Sequence, residues 1–302
     1  MVNLQVRIKD LRLKNPTILA SGVMDETADA IKRVIQSGAG AVVTKSIGRE
    51  PREGYPNPTV VELPHGILNA MGLPNPGVEA YVEEMKELTT VDVPVIGSVF
   101  SDSEKGFSFL AKKMELYGAD AVELNLSCPH AHGYGFEVGS QPDLVENIVK
   151  TVKETVKIPV FAKLSSNVTS IVEIGKAAEE GGADGVVAIN SVKALKIDVD
   201  LKKPILYNKI GGYSGRGIKP IGVRCVYELA KEISIPIIGA GGVEKGEDAV
   251  EYILAGASAV EIGAGVYYRG LTVFKKVCKE ITEWMKRNGY NAVDEFKGVA
   301  LR

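Results

Sequence analysis

Cysteine is scarce in this chain: three among 302 residues, Cys128, Cys225 and Cys278, odd in number and far apart. That excludes a disulfide framework and points to a reducing compartment. It also leaves too few thiols for an iron–sulfur cluster held by four cysteines of this chain alone. Basic residues are not in excess either. The 36 lysines and arginines are balanced by 38 aspartates and glutamates, for a net charge of −2. The basic footprint of a nucleic-acid binder is therefore missing. No run approaches about 18 continuous apolar residues, so nothing reads as a membrane span. The opening "MVNLQVRIKD" lacks the apolar stretch of a secretory leader. The expected location is the cytoplasm. No low-complexity segment or linker divides the chain, and 45% hydrophobic against 25% charged residues is the balance of a globular protein. One domain over residues 1–302 is expected.

What recurs along the chain is a short apolar run bounded by turn residues, with a helical pattern before the next run. The runs are "TILAS" (17–21), "AGAVVTKS" (39–46), "VPVIGSVF" (93–100), "ADAVELNLS" (119–127), "IPVFAKLS" (158–165), "ADGVVAIN" (183–190), "IPIIGAGG" (235–242) and "ASAVEIGAG" (257–265). Their Val, Ile and Ala content without strict alternation suits parallel strands covered on both faces. The second, fourth, sixth and eighth open at a Gly-Ala step, where glycine ends the preceding helix. The third, fifth and seventh open at Val-Pro or Ile-Pro, where a missing N–H is tolerated. Eight such units predict an α/β fold, a single (β/α)8 TIM barrel. An open doubly wound sheet is the second choice. Before the first run, "LQVRIKDLRLKNP" alternates around Lys9-Asp10, and residues 1–16 read as an N-terminal β-hairpin plugging the barrel's N-terminal end.

In such barrels the active site lies at the C-terminal ends of the strands. The residues there are Ser21, Lys45, Ser46, Asn125, Cys128, Lys163, Asn190, Ser191, Gly241, Gly242, Gly263 and Ala264, with "NAMGLPNPG" (69–77) in the long loop after strand two. Glycines after strands seven and eight leave room for backbone N–H groups to approach a phosphate, and "GGYSGRG" (211–217), in the loop after strand six, could add a third wall. Tight turns alone would explain them equally well. Lys45 and Lys163 could pair with a carboxylate, a phosphate or an electron-rich ring edge; one such lysine alone would read as a solvated strand end. A Schiff-base lysine, its pKa lowered by burial, is the alternative.

Cys128 follows its strand rather than lying within it, which argues against a merely buried small hydrophobe. With His130 and His132 it forms C-P-H-A-H, but that spacing is not a usual zinc pattern. A thiol whose thiolate is stabilised locally can instead accept a proton. Cys225 and Cys278 fall in helical patterns and are read as packing residues.

Taken together, "TKSIG" (44–48), "NAMGLPNPG" (69–77), "NLSCPH" (125–130), "FAKLS" (161–165), "AINS" (188–191), "GGYSGRGIKP" (211–220), "IPIIGAGGV" (235–243) and "AGASAVEIGAG" (255–265) resemble the dihydroorotate dehydrogenase family, in particular its NAD-linked class 1B catalytic chains. The resemblance covers nearly the whole chain in order and spacing. It implies one FMN over the barrel mouth, its phosphate against Gly215, Gly241, Gly242, Gly263 and Ala264, with Ser21, Lys45, Ser46, Asn125, Lys163 and Ile189 around the flavin. It further implies substrate contacts from Lys45, Asn69, Ala70, Met71, Gly72, Leu73, Asn125, Asn190 and Ser191. By the same resemblance Cys128 takes the C5 proton of dihydroorotate while the C6 hydride goes to FMN, in pyrimidine biosynthesis. Electrons would reach NAD+ through a separate subunit carrying FAD and a [2Fe–2S] cluster, on a homodimeric core within a heterotetramer. The chain departs from the family pattern at His130, where many members have Asn, and at Val99, where an Asn often approaches the flavin. Other readings are a uracil-type pyrimidine reductase, a tRNA dihydrouridine synthase, a non-redox phosphate-binding barrel or a catalytically silent one.

Overall fold

A computed structural model describes residues 2–126 and 139–302. The chain opens with a hairpin, β1 (Val6–Ile8) and β2 (Leu11–Leu13), paired antiparallel. Lys9 at its turn has a φ of 54° and its ammonium reaches Asp184, the residue before the sixth barrel strand. Val6, Ile8, Leu11 and Leu13 are buried in the main core. The hairpin therefore seals the end of the barrel where the strands begin, as its alternation predicts.

Eight parallel strands close the barrel: β3 (Thr17–Leu19), β4 (Ala41–Val43), β7 (Val95–Val99), β8 (Ala121–Asn125), β9 (Val160–Leu164), β10 (Gly185–Ala188), β15 (Ile237–Ala240) and β16 (Ala259–Ile262). Each falls inside one of the eight apolar runs, and every residue of these strands is buried. The helices between them are amphipathic. In α1 (Ala28–Gln36) the buried residues are Ala28, Ile31, Val34 and Ile35, one stripe at helical spacing. The Thr27, Ser103 and Ser170 side chains cap the helices that follow them by accepting backbone N–H bonds. The Gly-Ala steps act as expected: Gly38, Gly118, Gly182 and Gly256 all have positive φ, between 89° and 116°. Any other residue would be strained there.

The mouth carries an element that the sequence does not announce. The excursion after β4 folds into β5 (Val60–Leu63) and β6 (Gly66–Asn69). The excursion after β10 holds β11 (Val192–Leu195), a small pair β12 (Ile197–Asp198) and β13 (Lys203–Pro204), and β14 (Ile210–Ser214). Together β11, β14, β6 and β5 form a four-stranded antiparallel sheet over one side of the opening. Residues 211–214, expected as loop, are thus strand. Leu68, Ala70 and Leu206 make a small core of their own beneath it, separate from the barrel's.

Candidate active site

The C-terminal ends of the barrel strands and the lid sheet enclose a cavity of about 450 Å³. Its wall contains almost every candidate named from the sequence: Ser21, Lys45, Ser46, Asn69, Met71, Gly72, Leu73, Asn125, Lys163, Ile189, Asn190, Ser191, Gly215, Gly241, Gly242, Gly263 and Ala264. Ala70 is the exception. It is 1% exposed and packs with Leu68 and Leu206 in the lid core, because the alternation of β6 continues just past its end and turns Ala70 away from Asn69 and Met71. Cys128, His130 and His132 lie outside the described residues. Val99 is fully buried and does not reach the cavity.

One side of the cavity is bare backbone. Gly241 and Gly242 follow β15 with φ of 115° and 73°, and a Cβ on Gly242 would come within 2.7 Å of the Gly215 carbonyl oxygen. Gly263 ends β16, and α8 (Ala264–Arg269) starts immediately after it. Three turns thus converge with no side chain of the described residues lying between them. This is the cradle that a phosphate group needs if backbone N–H groups are to reach it.

The opposite side is polar and ordered. Lys45 is 8% exposed, and its Nζ lies 3.2 Å from Glu26 Oε1. Asn69 donates to the Gly212 carbonyl at 3.4 Å, tying β6 to β14. Asn190 Oδ1 accepts the Ser191 N–H at 2.7 Å. The 69–77 segment is held by Arg52, whose Nε donates to the Gly72 carbonyl at 2.6 Å, and by Asn75, whose Oδ1 accepts from Gly48 and Gly77. That bracing presents Met71 to Pro74 on the rim.

The floor is a charged cluster of which sequence reading found only one member. Lys163 Nζ sits 2.5 Å from Glu261 Oε2 and 3.3 Å from Glu123 Oε1, and all three residues are at most 5% exposed. Burial opposes the lysine's charge, but the two carboxylates outweigh it and hold its pKa above the ordinary lysine value. Burial, with Glu261 alongside, pushes Glu123 well above the usual carboxylate range. The signal was present: "AVELN" and "AVEIG" each carry a glutamate inside a strand otherwise buried on both faces. Sequence reading also missed Val60, Ile67 and Ser214 of the lid and Tyr267 of α8, which line the cavity. Tyr267 donates to Glu62 at 3.1 Å and so links α8 to the lid.

A raised Lys163 pKa is the reverse of what a Schiff-base lysine needs. Cys225 is buried and burial pushes its thiol up to about 11; burial does the same to Cys278. Both are packing residues, as their helical positions suggest.

A closed (β/α)8 barrel with a glycine cradle at strands seven and eight, a buried lysine on its floor and amides on its rim is the layout of a cofactor-dependent barrel enzyme. The chain belongs to the dihydroorotate dehydrogenase family, whose model matches residues 3–285. It is 54% identical over 299 residues to the dihydroorotate dehydrogenase B (NAD(+)) catalytic subunit of Pyrococcus abyssi, covering 99% of each chain. The protein of the same description from Methanocaldococcus jannaschii is 54% identical, with 98% of each covered. Among solved structures, DHODH in complex with ferulenol from Eimeria tenella matches with a TM-score of 0.86 at 26% identity, covering 99% of this chain and 89% of that one.

Proposed function

We propose that the chain oxidises dihydroorotate to orotate as the catalytic subunit of an NAD-linked enzyme, with FMN as its cofactor. The observation that carries the FMN reading is the convergence of Gly215, Gly241, Gly242 and Gly263 with a lysine-bearing floor in one cavity. The glycine cradle fits a phosphate, and the remaining space is walled by apolar side chains and amides that suit a planar ring. When bound, FMN supplies the hydride acceptor. Every other part of the reaction falls to the chain's own side chains. Lys45 gives the substrate carboxylate a buried cation, once that carboxylate replaces Glu26 at its ammonium. Asn69, Asn125, Asn190 and Ser191 offer donors and acceptors to the ring edge, and Met71 to Leu73 close the rim. Cys128, on the resemblance and its place after β8, takes the C5 proton.

On the resemblance, electrons leave through a second subunit carrying FAD and a [2Fe–2S] cluster; the three cysteines of this chain are too few to hold a four-cysteine cluster by themselves. A homodimeric core within a heterotetramer completes this reading. Its support is the excursion after β10, which exposes Leu195, Ile197, Val199, Leu201, Tyr207 and Ile210 between 47% and 78%. Apolar side chains clustered this way mark a surface made for contact.

A visible spectrum of the purified chain tests the cofactor and substrate together. Flavin bands that bleach on anaerobic addition of L-dihydroorotate are expected. Bands that persist would favour another pyrimidine, and no flavin after reconstitution with FMN would overturn the cofactor. Unaided reduction of NAD+ by the chain would overturn the partner. Lys45→Ala is expected to raise KM for dihydroorotate by roughly tenfold to a hundredfold, the loss of a charge-assisted contact of about 1.5–3 kcal/mol. A uracil-type enzyme would hardly notice that change.

A further inference from the structure

The floor cluster is not isolated. Ser98 Oγ donates to Glu123 Oε1 at 3.4 Å and lies 2.8 Å from Ser46 Oγ. Ser46 Oγ lies 3.2 Å from Ser21 Oγ, and Ser21 donates to Asp25 Oδ2 at 3.2 Å. Three hydroxyls therefore join two buried carboxyls, Asp25 and Glu123, and the two nearer Asp25, Ser21 and Ser46, line the cavity. Hydroxyls both donate and accept, so such a row can pass a proton by turning each O–H in sequence. Among the described residues, Asp25 Oδ1 at one end of the row and Glu261 Oε1, across Lys163 from the other end, are buried and make no hydrogen bond. Unpartnered oxygens on buried ions are costly, and they cost less beside a neutral acid.

Charge counting points the same way. With both glutamates ionised, the floor would carry one uncompensated negative charge at under 6% exposure, which low-dielectric surroundings strongly oppose. Glu261 makes the closer contact with Lys163, so Glu123 is the member that stays protonated. We propose that Glu123 is a proton store on the barrel axis, filled and emptied from Asp25 through the hydroxyls of Ser21, Ser46 and Ser98. Emptying the store passes the Glu123 proton to Ser98, the Ser98 proton to Ser46, the Ser46 proton to Ser21 and the Ser21 proton to the Asp25 carboxylate. Filling it reverses each transfer; no electrons move and no bond other than O–H is made or broken. Its use rests on the FMN reading: negative charge gained in the cavity favours the filled store and its loss favours the emptied one, so the charge of the floor follows the charge above it. Ser98 and Glu123 are then positioning residues, since neither lines the cavity.

Infrared spectroscopy tests the store on the whole chain, with or without FMN bound, so its failure is distinguishable from a failure of the cofactor assignment. The wild type at neutral pH is expected to show the carbonyl band of a buried protonated carboxylic acid that Glu123→Gln removes. Glu261→Gln should also remove it, because Glu123 then ionises against Lys163. On transfer to D2O that band should shift promptly in the wild type, at least tenfold more slowly in Ser98→Ala, and promptly again in Ser98→Thr. Ser46→Ala, which breaks the row one hydroxyl further out, should slow the shift likewise. Absence of any band lost in Glu123→Gln would overturn the store. Exchange at the wild-type rate in both alanine variants would overturn the route.

Discussion

Lys163→Met is expected to destabilise the protein by about 3–5 kcal/mol, the cost of removing one partner of a buried ion pair and stranding the other. The lysine is the cation that both Glu123 and Glu261 face. The deficit should depend on pH with a definite sign. Glu123 already has a folded pKa raised above its unfolded value by burial. A group shifted that way contributes stability that is present below the unfolded pKa and is lost as pH rises through the folded one. Without Lys163 to oppose burial the shift grows, so the variant should come closest to the wild type in mildly acid solution and fall further behind in alkaline solution. Urea denaturation midpoints at the two conditions decide the matter. Equal deficits at both would show that the lysine serves packing and not charge. The same variant should bind FMN more weakly, since the floor loses its cation.

Cys128→Ser is expected to slow flavin reduction by dihydroorotate by about 10²–10⁴-fold, the usual worth of a positioned base, and to move its pH dependence upward. A hydroxyl gives up its proton far less readily than a thiol, so the step it serves should need a higher pH. Anaerobic stopped-flow recording of the flavin band measures both effects. An unchanged rate would remove Cys128 from the chemistry and return it to the packing role that Cys225 and Cys278 fill.

The barrel is legible in the sequence because each of its strands is punctuated. A positive-φ glycine ends the helix before four of them, and prolines stand at the entry of three more, so eight apolar runs could be counted without a template. Most of the cavity wall was legible for a related reason: the strand ends face one mouth, and polar residues placed there have one place to point. The lid sheet was not legible, since β6 and β14 pair across a gap that no local pattern bridges, and residues 211–214 look like loop by their glycines. Ala70 was misplaced for the same cause, a strand alternation hidden inside what reads as a loop. Glu123 and Glu261 escaped because periodicity treats a glutamate in a strand as a break in the pattern. Inside a two-sided strand it is instead a charge that must have a buried partner.

The pairing of Asn69 with Gly212 joins positions 143 residues apart in the chain. The barrel's own closure is longer still, since β16 pairs with β3 at Val260 and Thr17, so both layers bear the entropy of closing a long loop. The lid that completes the cavity is set apart by how little core of its own supports it: Leu68, Ala70 and Leu206. A ligand that fills the cavity binds the paired arrangement of the lid, so by mass action it stabilises that arrangement. The two layers thus differ in what they lean on: a barrel with a large core of its own, and a cover that gains most from a guest beneath it.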